Sequence, residues 1–330
     1  MSQPVSASPS AGGHSEGRLA HFPVALFSTV MGVAGLSLAW LKAHHVVGVP
    51  AGIGEGLRWA ASGLYLLLLI LYGLKMLRHP AEVVADRAHP VRLNFFPAIS
   101  IGLLLLAIAW AAQAPDTARW MLYIGAAAHL GFTLWALSSW IHHTHYDIKH
   151  ANPAWFIPVV GNILVPMAGM RVAPADLSWF FFSIGLVFWL VLMTIIFYRL
   201  FFHEPLPARL TPTLFILIAP PAVGFVSYVT LTGSVDAFAQ IMYFIALFLT
   251  LLLASNAVRF FRLPFFISAW AYSFPLAAMT IATFEKAVHG SRTFYIGLGW
   301  MLLTVLSAVV LVLVLRTLQA AAAGRICIPE

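Results

Sequence analysis

The chain has 330 residues, of which 61% are hydrophobic and only 9% are charged, and its mean hydropathy is +0.91. Soluble domains carry about 25% charged residues, so this composition excludes an ordinary soluble protein and indicates an integral membrane protein. The net charge of +7 requires no nucleic acid as a partner, because most of the excess falls in segments predicted to lie against anionic lipid.

Residues 1–20 are rich in Ser, Ala, Gly and Pro and contain no apolar run, so they are predicted to form a disordered cytoplasmic tail. The membrane domain is predicted at residues 21–318, and residues 319–330 are predicted to form a short cytoplasmic tail. The single cysteine, Cys327, excludes an internal disulfide and any CxxC motif, and we interpret it as a passive surface thiol.

About 20 apolar residues are needed to cross the hydrocarbon core of a bilayer as a helix. The sequence contains ten such windows, at residues 22–41, 57–77, 93–113, 119–140, 153–172, 176–200, 210–232, 236–258, 264–284 and 292–318. With a cytoplasmic N-terminus, twelve Lys and Arg residues face the cytoplasm and six face the other side. The positive-inside rule therefore predicts that both termini lie in the cytoplasm, which agrees with an even number of spans. The predicted location is the inner (plasma) membrane of the cell.

The odd-numbered and even-numbered spans differ in their proline content. Each predicted odd span contains at least one proline and the even spans contain none; those well inside the odd spans are Pro97, Pro158, Pro166, Pro220, Pro221 and Pro275. An interior proline costs about 3 kcal/mol in a soluble helix, and in lipid the freed carbonyl needs another partner. We therefore predict an all-α fold of five hairpins, with broken odd helices in an inner pore ring and smooth even helices outside. The alternative explanation of these prolines is that proline is generally more frequent in membrane helices than in soluble ones.

Three segments resemble a known family: HFPVALFSTVMGVAGLSLAW (21–40), HPVRLNFFPAIS (89–100) and FISAWAYSFPLAAMTIAT (266–283). They are similar to the corresponding segments of the tellurite-resistance/dicarboxylate transporter family, most of all to the bacterial TehA proteins related to the slow anion channel of plant guard cells. The resemblance covers residues 21 to about 318. It implies a homotrimer in which each subunit has its own pore, lined by the five odd helices and occluded by a phenylalanine on the ninth.

The residue that matches this gate is Phe274, directly before Pro275, and Phe266 is the alternative if the alignment of the ninth helix is shifted. Pro275 is predicted to bend the helix so that the Phe274 ring projects into the pore. The alternative is ordinary packing, since the chain contains 25 phenylalanines. Glycines are also concentrated on odd spans, where they are either pore-lining or close-packing positions; the main candidates are Gly32, Gly161 and Gly224.

No Asp, Glu, Lys or Arg lies near the middle of any predicted span. Proton-coupled carriers and pumps keep such residues in spite of a cost of about 2.5–3.5 kcal/mol each, so their absence favours passive permeation. An anion would instead meet kinked backbone, the N-terminal ends of half-helices and the positive edges of aromatic rings.

Histidines offer a competing hypothesis. The segment WIHHTHYDIKH (140–150) places His142, His143, His145 and His150 in one loop, and histidine-rich tracts can bind metals. A solvated loop is the favoured interpretation, because no zinc motif is present. His129 is the only histidine deep in a span, whereas a haem protein would need facing pairs. No metal and no cofactor is predicted.

Three functions remain, in this order. The first is a channel for small monovalent anions such as chloride and nitrate. The second is a secondary transporter of oxyanions or C4-dicarboxylates such as tellurite, sulfite or malate, as the resemblance also implies. The third is a redox or metal-dependent membrane enzyme, which only the histidine loop supports; the prediction is therefore that the chain is not an enzyme.

Overall fold

The computed structural model describes residues 17–142 and 146–327. Over this part of the chain the structure is helical without any strand, and ten helices are long and apolar enough to cross a membrane. The predicted all-α, ten-span fold is therefore confirmed. The predicted tail at residues 1–20 lies mostly outside the described residues, and the tenth span continues to Ala322, beyond its predicted end.

The even-numbered spans are single, uninterrupted α-helices. Their interiors are mostly apolar and contain no proline, so every interior backbone N–H can bond to the preceding turn. They are Gly52–Arg78, Pro115–His142, Ala175–Phe202, Ala237–Ala254 and Arg292–Ala322.

The odd-numbered spans each begin with a short 3-10 helix and continue as α-helix. The first, third, seventh and ninth spans have one such change, at Val24–Leu26 before Phe27–Val47, Arg92–Phe95 before Ala98–Trp110, Thr211–Ile218 before Ala219–Thr232 and Ile267–Tyr272 before Ser273–His289. The fifth alternates twice, as Pro153–Trp155, Phe156–Val160, Gly161–Leu164 and Val165–Val172.

The prolines predicted to interrupt the odd helices lie at these changes of helix type. Pro97 is the N-cap of Ala98–Trp110, and Pro158, Pro166, Pro220, Pro221 and Pro275 lie in the first turn of an α-helical segment. An amide in the first turn has no partner within the α-helix, so proline removes no α-helical hydrogen bond there. In the ninth span the change of helix type falls at Ser273, two residues before Pro275, and the bend expected at Pro275 stays a prediction.

Hydroxyl side chains bind the backbone carbonyls at these changes. Since no water is available at membrane depth, each such carbonyl needs a partner within the protein. The hydroxyl donates to a carbonyl 2.6–2.8 Å away, for example, from Ser100 to Pro97, Thr133 to Pro158, Ser227 to Ile163 and Ser273 to Trp270.

The odd spans lie inside the bundle and the even spans lie outside. The most apolar windows of the odd spans are 67–89% buried, whereas those of the even spans are 28–39% buried. Each odd span packs against the even span that follows it, against the next odd span, and the ninth against the first. The five odd spans therefore form a closed ring around a common axis.

Candidate functional site

A narrow cavity of about 70 Å³ lies within the ring of odd spans. All five odd spans supply lining residues, and each span contributes at least one from the first turn of an α-helical segment: Ser28, Ile101, Ile157, Pro220 and Phe274. The changes of helix type in the five odd spans therefore lie around one space on the axis.

Phe274 forms part of the cavity wall at the start of the α-helical part of the ninth span. Its side chain is half-buried, and Pro275 beside it also lines the cavity. The ring lies close to Gly35 of the first span, since a Cβ atom on that glycine would stand 3.4 Å from Cδ2 of Phe274. The absence of a side chain at Gly35 thus leaves room for the ring between the first and ninth spans.

The cavity wall is almost entirely apolar. Within the described residues, no charged side chain lines it, and its two hydroxyl groups donate to nearby backbone carbonyls: Ser28 to Ala25 at 2.6 Å and Ser268 to Arg209 at 2.5 Å. A small ion would therefore meet helix ends and aromatic edges rather than a fixed counter-charge, and such contacts bind an anion weakly.

His129 of the fourth span lies behind this wall and is fully buried. Ser100 donates its only hydroxyl proton to the carbonyl of Pro97, so His129 Nδ1, 2.8 Å from Ser100 Oγ, is the donor of that second hydrogen bond. His129 Nε2 has no partner within the described residues and faces Gly161, where an added Cβ would stand 2.5 Å away. The histidine therefore supports the cavity wall and does not line the cavity.

A much larger vestibule of about 620 Å³ adjoins the cavity at the end of the bundle that carries both described termini. Phe95 and Ser268 line both spaces, so the two meet there. Five cationic side chains line the vestibule, Lys75, Arg92, Arg209, Arg316 and Arg325, against two acidic ones, Glu82 and Asp86. The mouth of the axial path is therefore electropositive, which raises the local concentration of anions.

Part of this charge is neutralised inside the protein. Lys75 is buried and donates to Asp86 Oδ2 at 2.6 Å and to the carbonyl of Phe22 at 3.0 Å. Arg92 binds the other carboxylate oxygen of Asp86 at 3.0 Å. This cluster ties the segment before the first span to the second and third spans.

The two candidate phenylalanines occupy different places. Phe274 lines the narrow cavity, whereas Phe266 lines the vestibule, where the guanidinium carbon of Arg209 lies 5.8 Å from the centre of its ring. A ring on the wall of a cavity of about 70 Å³ can obstruct it, whereas a ring on the wall of a vestibule of about 620 Å³ cannot. This difference favours Phe274 as the gate.

The predicted proline and glycine positions are divided between the cavity and the helix contacts. Gly161, Pro220 and Pro275 line the cavity, whereas Pro97, Pro158 and Pro166 lie elsewhere on the ring. Gly32 and Gly224 lie where helices approach closely: a Cβ on Gly32 would stand 2.7 Å from the ring of Trp270, and one on Gly224 would stand 3.1 Å from Ile163 and from Met242.

The histidine loop and the cysteine lie apart from the cavity. His142 Nδ1 is 2.9 Å from the carbonyl of Ser138, and His150 accepts the amide of Asp147 at 3.1 Å, whereas His143 and His145 lie outside the described residues. Burial raises the pKa of the half-buried Cys327 thiol, against the opposing effect of nearby cations, so it is less reactive than a free surface thiol.

The vestibule is the part of the site that sequence reasoning missed. Its five cations were all counted among the residues predicted to face the cytoplasm, and their charge was attributed to contact with anionic lipid. The signal was therefore present in the sequence, but nothing in residue spacing shows that positions 75, 92, 209, 316 and 325 converge on one space.

The fold and the cavity define a multi-pass membrane protein whose inner helices surround a narrow apolar path with a basic mouth. The chain belongs to the voltage-dependent anion channel family (SLAC1), whose model matches residues 21–318. The resemblance found in the three sequence segments is thereby confirmed.

Several relatives are similar over most of this chain. An S-type anion channel of Arabidopsis thaliana, SLAH3, is 30% identical over 82% of this chain and 44% of its own length. The tellurite resistance protein TehA homolog of Haemophilus influenzae is 26% identical over 78% of this chain and 79% of its own length. An uncharacterized transporter of Methanocaldococcus jannaschii is 25% identical over 86% of this chain and 91% of its own length. The chain spans about half of the length of the plant relatives SLAH3 and SLAH2.

Proposed function

We propose that the protein is a channel for small monovalent anions such as chloride and nitrate, with the conducting path along the axis of the odd spans of each subunit. The observation that carries the proposal is the axial cavity, which all five odd spans line at their changes of helix type and whose described wall contains no charged side chain. The electropositive vestibule attracts anions toward this cavity, and the uncharged wall binds them weakly enough to release them again, as conduction requires.

Phe274 is the gate of this path in our proposal. It lies at the narrow cavity, next to a change of helix type, and its ring rests in space that Gly35 leaves open. Moving an aromatic ring about 30° away from its preferred rotamer costs about 0.5–1.5 kcal/mol, so a modest input is enough to displace it.

Selectivity in such a path follows the cost of dehydration. The wall offers neither a metal nor a fixed charge to replace a lost hydration shell. Larger, weakly hydrated anions should therefore pass more readily than small, strongly hydrated ones, so nitrate should exceed chloride.

The proposed assembly is a homotrimer in the inner (plasma) membrane with both termini in the cytoplasm. The even spans expose most of their apolar surface, which supplies area for both lipid and subunit contacts. A mass measurement of the purified protein in detergent checks this assembly, and a stable monomer or dimer would contradict it.

Reconstitution in lipid vesicles tests the function. A channel gives chloride and nitrate efflux that follows an imposed voltage and ignores a pH gradient. A secondary transporter of oxyanions or dicarboxylates, which the names of the tellurite-resistance and transporter relatives favour, gives uptake coupled to protons instead. Proton-coupled uptake without voltage-driven flux would replace the first proposal by the second.

A further inference from the structure

The vestibule has the size and charge of a binding site in its own right. Its volume of about 620 Å³ lies in the usual range of small-molecule sites, roughly 300–1,000 Å³, whereas the adjoining cavity measures about 70 Å³. A ligand that fills the vestibule is therefore too large to follow the axial path through the cavity.

Two of the vestibule's arginines are available to an external anion. Asp86 is already bound to Lys75 and Arg92. By contrast, the exposed guanidinium groups of Arg316 and Arg325 form no ion pair or hydrogen bond with any residue that the structure describes. Arg316 belongs to the last turns of the tenth span, and Arg325 follows that span.

Guanidinium groups are suited to phosphate, because their planar arrangement of N–H groups binds two phosphate oxygens at once. Two arginines on the wall of one cavity suit a ligand with more than one phosphate group. The space is bordered by the starts of the inner first, third and ninth spans, by the segment before the seventh, and by residues of the outer second and tenth spans. Phe95 and Ser268 line both this space and the axial cavity, so the vestibule opens onto the ring axis. This position favours a soluble ligand over a lipid headgroup.

We propose that the vestibule binds a soluble anion that carries two or more phosphate groups, with Arg316 and Arg325 as its principal ligands, and that the bound anion blocks the axial path. The block rests on the channel function proposed above, whereas the binding does not.

Isothermal titration of the purified full chain with inorganic pyrophosphate, at low salt, tests the binding. We expect Arg316→Gln and Arg325→Gln each to weaken the affinity about tenfold or more, since each removes a charge-assisted hydrogen-bonding group. Added salt should weaken the binding to the parent protein, because the site is open to solvent. Both arginines are exposed and without a partner among the described residues, so unchanged thermal unfolding will show that the variants fold normally.

Arg262→Gln is the matched control. Arg262 is also exposed and is predicted to lie on the same side of the membrane, but it does not line the vestibule. It should leave the affinity for pyrophosphate unchanged. Absence of pyrophosphate binding, or equal affinities of the parent and the double variant Arg316→Gln/Arg325→Gln, overturns the site.

Chloride efflux from vesicles tests whether the bound anion blocks the axial path. It also distinguishes a soluble ligand from a lipid headgroup, and failure of the block from failure of the channel function. In vesicles of neutral lipid, pyrophosphate on both sides should reduce chloride efflux through the parent protein but not through the double variant. Inhibition only by phosphoinositide in the bilayer, without any effect of pyrophosphate, overturns the soluble ligand. Pyrophosphate binding in a protein that shows no anion efflux overturns the block and the channel function but supports the site.

Discussion

Replacement of Phe274 by alanine is the most direct test of the gate. A cavity of about 70 Å³ holds roughly two water molecules, so an anion that enters it loses most of its hydration shell. Removal of the Phe274 ring enlarges this cavity, so that an anion inside it can retain more of its hydration water. A hydrogen bond to a charged group contributes about 1.5–3 kcal/mol, so one additional retained water corresponds to an increase in flux of roughly 10- to 150-fold.

The same substitution should have a limited effect on folding. Truncation of a fully buried phenylalanine destabilises a protein by about 3–5 kcal/mol, because the neighbouring atoms lose their contacts. Phe274 is half-buried, with one side on the cavity and the other toward Gly35. We therefore expect a loss of about 1–2 kcal/mol.

Voltage-driven chloride efflux from vesicles with equal amounts of protein measures the effect, and Phe266→Ala is the matched control. Phe266 lies on the wide vestibule, so its loss should change the flux by less than about threefold, a barrier change below roughly 0.7 kcal/mol. If Phe274→Ala assembles normally but conducts no better than the parent, the ring is ordinary packing. If Phe266→Ala instead gives the large increase, the gate lies at the vestibule.

Three further predictions concern the surroundings of the site. Asp86→Asn leaves two cations without their carboxylate and should destabilise the protein by about 3–5 kcal/mol in thermal or denaturant unfolding, whereas Asp116→Asn, at an exposed pair, should cost at most about 1 kcal/mol. Gly161→Ala places a methyl group against the imidazole behind the cavity wall and should cost about 1–3 kcal/mol, whereas Gly131→Ala, in open space on the fourth span, should be neutral or stabilising. Burial raises the pKa of Cys327, so the native protein has less thiolate near pH 7 than the unfolded chain, and its alkylation at Cys327 should be slower. This difference in rate should shrink as the pH rises above the native pKa. Equal alkylation rates of the native and unfolded protein at pH 7 would contradict the prediction.

The proline pattern correctly indicated which spans lie inside, but not how the chain accommodates the prolines. The sequence interpretation placed Pro220 and Pro275 in helix interiors, whereas the structure has a 3-10 helix before each and starts the α-helix one or two residues earlier. The extent of the 3-10 segments depends on which side chains approach the carbonyls. Thr133, for example, reaches Pro158 from another span, and such a contact has no local signal in the sequence.

Composition and breaker placement determined the membrane class, the number of spans and the inner position of the odd helices, because lipid offers no partner to an unsatisfied backbone group. A phenylalanine next to a proline, together with the family resemblance, was sufficient to select Phe274 as the candidate gate. Only the tertiary structure decided that Phe274 lines the narrow cavity while Phe266 lines the vestibule, and that cations between Lys75 and Arg325 share one space. Both facts depend on contacts between parts of the chain that are far apart in sequence. The energy of such contacts depends on the distance between atoms in space, and this distance cannot be read from the spacing of residues along the chain.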